Sequence, residues 1–185
     1  WQRGRYGSAV GRAVHGVLQT VDLATGADLA ALAATQAMAE GLSGREWLIE
    51  RLARSALDAP IVQAAAGLPH WRELYVAAPA GSHVIEGYVD LLVRTPDGLV
   101  LVDYKTDYIR DDDSVAAKVA RYGRQLAAYA LALERVLGEP VADARLVLCG
   151  GEAVRELPVP RWAEVIDALR DELAGAAAPG TGPLG

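Results

Sequence analysis

The sequence predicts an α/β (α+β) fold, a mixed central sheet flanked by helices with a helical segment at its N-terminal side. Three observations carry that expectation. Residues 85–105, IEGYVDLLVRTPDGLVLVDYK, read as a β-hairpin: the runs Val84 to Arg94 and Leu99 to Tyr104 are rich in valine, leucine and tyrosine. The preceding stretch from residue 6 to about residue 66 is rich in alanine and leucine at helical spacing. After the hairpin, a long helical stretch, two short strand-like runs and a last helix alternate, which is the pattern of helices packed on a sheet.

A chain of 185 residues suits one domain with its own core. Residues 1–175 are expected to form that domain, and the Ala/Pro/Gly-rich residues 176–185 to be a disordered tail. A start at Trp1 rather than methionine is the expectation for a domain excised from a larger protein. Apolar residues make up 52% of the chain with no phenylalanine, so Leu, Val, Trp and Tyr must fill the core. The net charge of −6 argues against an autonomous grip on nucleic acid, because phosphate neutralisation supplies most non-specific affinity. A single cysteine, Cys149, excludes an intramolecular disulfide and a four-cysteine iron–sulfur cluster within this chain, and fits a reducing cytoplasm. No apolar run approaches a membrane span and no signal peptide is visible, so no membrane partner is expected.

In order along the chain, residues 6–24 read as a helix whose stripe is Val10, Val14, Val17, Leu18 and Val21. His15 lies at the border of that stripe; a boundary histidine without duty is one reading of it and a ligand another. Residues 27–40 and 44–58 read as two further helices, with Ser43 and Glu46 in capping-box spacing. Ala59-Pro60 ends the second or opens a short helix to about Ala66. Trp71 to Ala77 reads as a strand, followed by a loop at Pro79-Ala80-Gly81, with His70 and His83 on the surface or in turns.

The hairpin turn is Thr95-Pro96-Asp97-Gly98, where proline fixes φ and glycine is free to make it positive. Alternation puts Asp103 and Lys105 on one face, and folding back at residues 95–98 brings Asp90 level with them. Two carboxylates and a lysine then converge at the cost of burying charge, which a divalent cation would offset. Glu86 shares the face of Tyr88 and Asp90, where either solvent or a metal is within its reach.

Asp111-Asp112-Asp113 precedes a helix from about Ser114 to Leu137, and the helix dipole suffices to explain that acidic run. Tyr122, Gln125 and Tyr129 share one helical face, with Arg121 and Arg124 beside it. Gly138-Glu139-Pro140 ends the helix. Ala144 to Cys149 and Ala153 to Leu157 read as strands joined by a tight turn at Gly150-Gly151, and Arg161 to Ala174 as the last helix.

The ordered set Gly87-Tyr88-Val89-Asp90, Asp103-Tyr104-Lys105-Thr106-Asp107, then Tyr122, Gln125, Leu126 and Tyr129 resembles the RecB-type branch of the PD-(D/E)XK nucleases. The likeness is greatest to the nuclease domain of AddA- and RecB-like helicase–nucleases. It extends upstream to Gly11-Arg12-Ala13-Val14-His15, similar to the family's G-x-x-x-H helix, and so covers roughly residues 7–138. The resemblance implies a restriction-endonuclease-like core and a metal-dependent deoxyribonuclease working beside helicase motor domains. It further implies that His15, Asp90, Asp103 and the Tyr104 backbone carbonyl hold Mg²⁺ or Mn²⁺, with Glu73 or Glu86 as an added ligand. Lys105 would orient the attacking water, and Gln125 and Tyr122 would position that lysine or the DNA. A non-catalytic DNA-binding scaffold on the same fold, or a hydrolase of another substrate, are the rival readings.

Overall fold

The structure, a computed structural model, describes residues 7–80, 83–107 and 112–176. Arg3 and Arg5, Gly81 of the expected loop, Asp111 of the acidic run and tail residues 177–185 lie outside the described residues.

Helix α1 (Ala9–Thr20) begins where the Ser8 hydroxyl accepts the Gly11 N–H at 3.0 Å, which places its start later than residue 6. Its buried face is Ala13, Val14, Val17 and Leu18. Its last carbonyls, at Leu18 and Val21, accept from the Arg72 guanidinium, so a strand residue caps the helix. Helices α2 (Leu29–Ala39) and α3 (Glu46–Leu57) follow, and α4 (Pro60–Ala65) opens on its proline. The expected Ser43 cap of α3 does not form. Gly44 takes a φ of +88°, the chain enters the helix at Arg45, and the Glu46 carboxylate accepts the Gly44 N–H instead.

The sheet has five strands in the order β1 (His70–Ala80), β2 (His83–Thr95), β3 (Gly98–Lys105), β4 (Val141–Leu148) and β5 (Arg155–Pro158). Neighbours are antiparallel except β3 and β4, which α5 (Asp112–Leu137) joins as a crossover, as a parallel pair requires. That makes the apolar run 99–104 the central strand. The last helix is α6 (Trp162–Ala176), anchored by the Trp162 indole N–H on the Val141 carbonyl. Strand β5 begins at Arg155, so the link from β4 is longer than the expected two-glycine turn. Gly150 is pressed against the Thr106 and Asp107 carbonyls, where a Cβ would sit 2.4 Å from either oxygen. The expected β4–β5 hairpin forms, with Leu148 opposite Arg155, but that contact holds its longer loop against the β3 exit.

Each face of the sheet has its own core. Helices α1 to α4 cover Leu91, Val93, Val100, Val102 and Tyr104, while α5 and α6 cover Leu92, Leu99, Leu101 and Leu146. Between residues 72 and 74 the β1–β2 ribbon turns over. Arg72 and Leu91 look toward α1, whereas Leu74, Val76, Ala78, Ile85 and Val89 pack with α5. Regular alternation would keep residues 72 and 74 on one face. The exception is made by Glu73, whose φ of +49° is a left-handed conformation that L-residues seldom take. By the register of its neighbours, Glu73 stands opposite Asp90.

Candidate metal centre and active site

Backbone pairing of β2 with β3 runs from Thr95↔Gly98 to Leu91↔Val102 and then stops. The next N–H, that of Tyr104, is taken by the Asp90 side chain, whose Oδ2 accepts it at 2.8 Å. A carboxylate thus replaces a ladder carbonyl, and the strands part where the ribbon turns over. His15 closes the opening from α1: its Nδ1 lies 3.1 Å from Asp90 Oδ1 and 3.8 Å from Glu73 Oε1, and its Nε2 lies 3.1 Å from the Tyr104 carbonyl. Donor atoms of His15, Glu73 and Asp90 fall within 4.8 Å of one another.

On the central strand Asp103 is buried, and its Oδ2 is 2.6 Å from Lys105 Nζ. That oxygen receives no well-directed hydrogen bond, so the contact is an ion pair that leaves acceptor capacity for another partner. Lys105 Nζ also stands 4.3 Å above the centre of the Tyr122 ring, a cation–π contact. The Tyr122 hydroxyl donates to Asp107 Oδ2 at 3.1 Å, and Lys118 pairs with the same oxygen at 2.9 Å. The Gln125 amide N–H donates to the Tyr129 hydroxyl, and Lys105 is not among its partners. Glu86 is exposed on the ribbon beyond the turnover, where it accepts from Tyr75, and is outside the His15 cluster.

The titrations follow from this packing. Burial opposes a charged His15, but Asp90, with Glu73 and Asp103 behind it, outweighs burial and holds the imidazole pKa well above its ordinary value. Both ring nitrogens face acceptors, the arrangement of an imidazolium. Burial would raise Asp90, yet His15, Lys105 and the Tyr104 N–H together hold it below the usual carboxylate range. Asp103 goes the other way. Burial and the Asp90 charge push it up to about 6 despite Lys105. Two neighbouring carboxylates thus differ in affinity for a proton.

The donor set fits a divalent cation. Carboxylates with one imidazole suit a hard or borderline metal, and the Asp103 carboxylate, held by Lys105, stands beside them. Asp107 and Lys118 are site-side residues to which sequence reasoning gave no role. Lys118 and Tyr122 are four apart on α5, so helical spacing was the signal that could have linked them.

With this geometry, the chain is a member of the PD-(D/E)XK nuclease superfamily, whose family model matches residues 3–183. It is similar to an ATP-dependent helicase/nuclease subunit of Desulforudis audaxviator, 37% identical over 170 residues, covering 79% of this chain and 13% of that protein. It is also similar to the ATP-dependent helicase/nuclease subunit from Levilactobacillus brevis, 38% identical over 87 residues, covering 44% of this chain and 7% of that protein. The Alkaliphilus oremlandii counterpart of the same name is 42% identical over 65 residues, covering 35% of this chain and 5% of that protein. The chain therefore spans a small part of the length of these relatives.

Proposed function

We propose that this domain is a metal-dependent deoxyribonuclease that hydrolyses DNA phosphodiesters as the nuclease module of a helicase–nuclease in end processing, recombination or repair. The observation that carries the reading is the meeting of His15, Glu73 and Asp90 donor atoms beside the buried Asp103–Lys105 pair, in a chain of a nuclease superfamily. His15, Asp90, Asp103 and the Tyr104 carbonyl would hold Mg²⁺ or Mn²⁺, and Glu73 is the better placed of the two further acids. When bound, the cation supplies Lewis acidity at the phosphate and lowers the pKa of a water.

The chain's own groups do the rest. Asp90, fixed by the Tyr104 N–H, keeps its charge directed into the opening. The Lys105 ammonium, restrained between Asp103 and the Tyr122 ring, orients the attacking water and offsets negative charge gathering on the phosphoryl oxygens. Asp107 and Lys118 fix the phenol and through it the ring under that ammonium. His15 has to give up a proton to serve as a ligand, so cation affinity falls as pH is lowered. Among the described residues no helix is long and apolar enough to cross a membrane. We read the domain as working in the cytoplasm; Cys149 is buried, and that burial pushes its thiol up to about 12, leaving it inert.

Linear single- and double-stranded DNA incubated with Mg²⁺, Mn²⁺ or EDTA tests the reading, together with melting curves in each. Cleavage with either metal and none in EDTA is expected, with a metal-dependent rise in melting temperature that Asp90→Asn reduces. No cleavage and an unchanged melting temperature across millimolar metal would reject it.

A further inference from the structure

Helix α5 shows a second face beside the one that carries Tyr122 to the site. Arg121, Gln125 and Ala128, together with Leu169 of α6, line a shallow groove of about 450 Å³ that borders Tyr122. Two arginines reach this groove and they are not equivalent. Arg124 gives both terminal nitrogens to Glu172, at 2.8 and 2.7 Å, so its charge is already matched. Arg121 is exposed, and among the described residues no carboxylate lies within ion-pairing distance of it. Its guanidinium instead faces the Tyr122 ring, whose centre is 5.7 Å from the guanidinium carbon.

Arg135 is likewise without an acid among the described residues, so what sets Arg121 apart is its place against Tyr122 beside the site. Most described cations hold an acid, Arg12, Arg94, Arg145 and Arg170 among them. The excess of acid makes a cation left open beside the site all the more conspicuous. The Tyr122 ring also sets its distance from the chemistry. With Lys105 Nζ 4.3 Å and the Arg121 carbon 5.7 Å from the same ring centre, the two cations are at most about 10 Å apart. One strand of nucleic acid carries a phosphate at every nucleotide, so two cations this close can meet phosphates that are near neighbours on one strand. Tyr122, whose ring lies under Lys105, also lines the groove and so borders both.

We propose that the α5–α6 groove is a subsite for the sugar–phosphate backbone of a single strand, where Arg121 neutralises a phosphate flanking the one at Lys105. The subsite rests on the nuclease reading for its orientation, and it deepens that reading by naming a strand rather than a duplex as what the groove follows. Backbone contact of this kind positions a strand without reading its sequence. Arg124 takes no part while Glu172 holds it.

The test is binding of a labelled oligothymidylate to the 185-residue chain across a series of salt concentrations, with Ca²⁺ in place of Mg²⁺ so that binding is read without cutting. Arg121→Gln should weaken binding and lower the slope of log affinity against log salt by about 0.7, the release expected for one single-strand phosphate contact. Arg135→Gln removes the same charge from an exposed position in the last turn of α5 and should keep the parent slope. An Arg121→Gln slope equal to the parent's, an equal loss in Arg135→Gln, or no measurable parent binding at low salt would each overturn the subsite. Cleavage of the same oligonucleotide by the parent with Mg²⁺ or Mn²⁺ is scored separately. A parent that binds with the expected slopes but never cleaves fails the nuclease reading, and one that cleaves with an unaltered Arg121→Gln slope fails only the subsite.

Discussion

Asp103 carries its charge at a cost to the fold, since its pKa is pushed up to about 6 from an ordinary 3.8 by burial and by Asp90. The sign of the pH dependence follows. A carboxyl that binds its proton more tightly folded than unfolded contributes stability that is fully present below about pH 4 and is lost as pH rises through 6. Asp103→Asn has no such loss. Its stability relative to the parent, measured by urea unfolding in EDTA, should therefore rise between pH 4 and pH 7 by on the order of 2 to 3 kcal/mol. Cleavage should be abolished at every pH. A stability difference that stays flat across that interval would place the raised pKa elsewhere. Strand alternation made the meeting of Asp103, Lys105 and Asp90 legible in the sequence. Glu73 was not separable from Glu86 in the same way, because both read as strand acids. Only the left-handed backbone at Glu73 brings its carboxylate to His15.

Among elements, the β1–β2 ribbon is held over the site by its packing on α5. Gly87 lies where a Cβ would come 2.5 Å from the Tyr129 hydroxyl oxygen, so the tyrosine fills the space the glycine leaves. Gly87→Ala should destabilise the domain by about 1 to 3 kcal/mol, the usual range for overpacking. The double variant with Tyr129→Leu should recover part of that loss in a double-mutant cycle, because the two residues share one contact. Additive losses would show that the clash is relieved by ribbon movement alone. The glycine of Gly87-Tyr88-Val89-Asp90 was visible as a motif letter, yet its reason is a helix residue distant in sequence. Helices α1, α3 and α5 were legible from their stripes. The β4–β5 hairpin was legible but the length of its loop was not, because Gly150 answers to the carbonyls of Thr106 and Asp107 rather than to its neighbours.

For the molecule as a whole, the net charge of −6 and the pairing of most described arginines leave little free positive charge to attract DNA. The chain by itself should bind single-stranded DNA weakly, with affinity falling steeply as salt is added. Fused to the motor domains of a helicase–nuclease, it should gain activity through effective concentration, since a delivered strand needs little affinity of its own. Fluorescence titrations of the two forms at several salt concentrations decide the matter. Equal nanomolar affinity for both at physiological salt would make the domain an autonomous binder and remove the need for delivery.

By itself the sequence determined the helix–hairpin–helix order, the central apolar strand and the convergence of Asp90, Asp103 and Lys105. It did so because strand alternation and a four-residue turn are local geometry, fixed within the segment that carries them. The resemblance already pointed to His15; only the tertiary structure decided that Glu73 rather than Glu86 completes the cluster, that Tyr122 lies under Lys105, and that Arg124 is spent on Glu172 while Arg121 is open. Those outcomes depend on how α1 and α5 are laid against opposite faces of the sheet, and on a ribbon that turns over at one left-handed residue. Packing between segments far apart in the chain sets them, and no local period in the sequence records it.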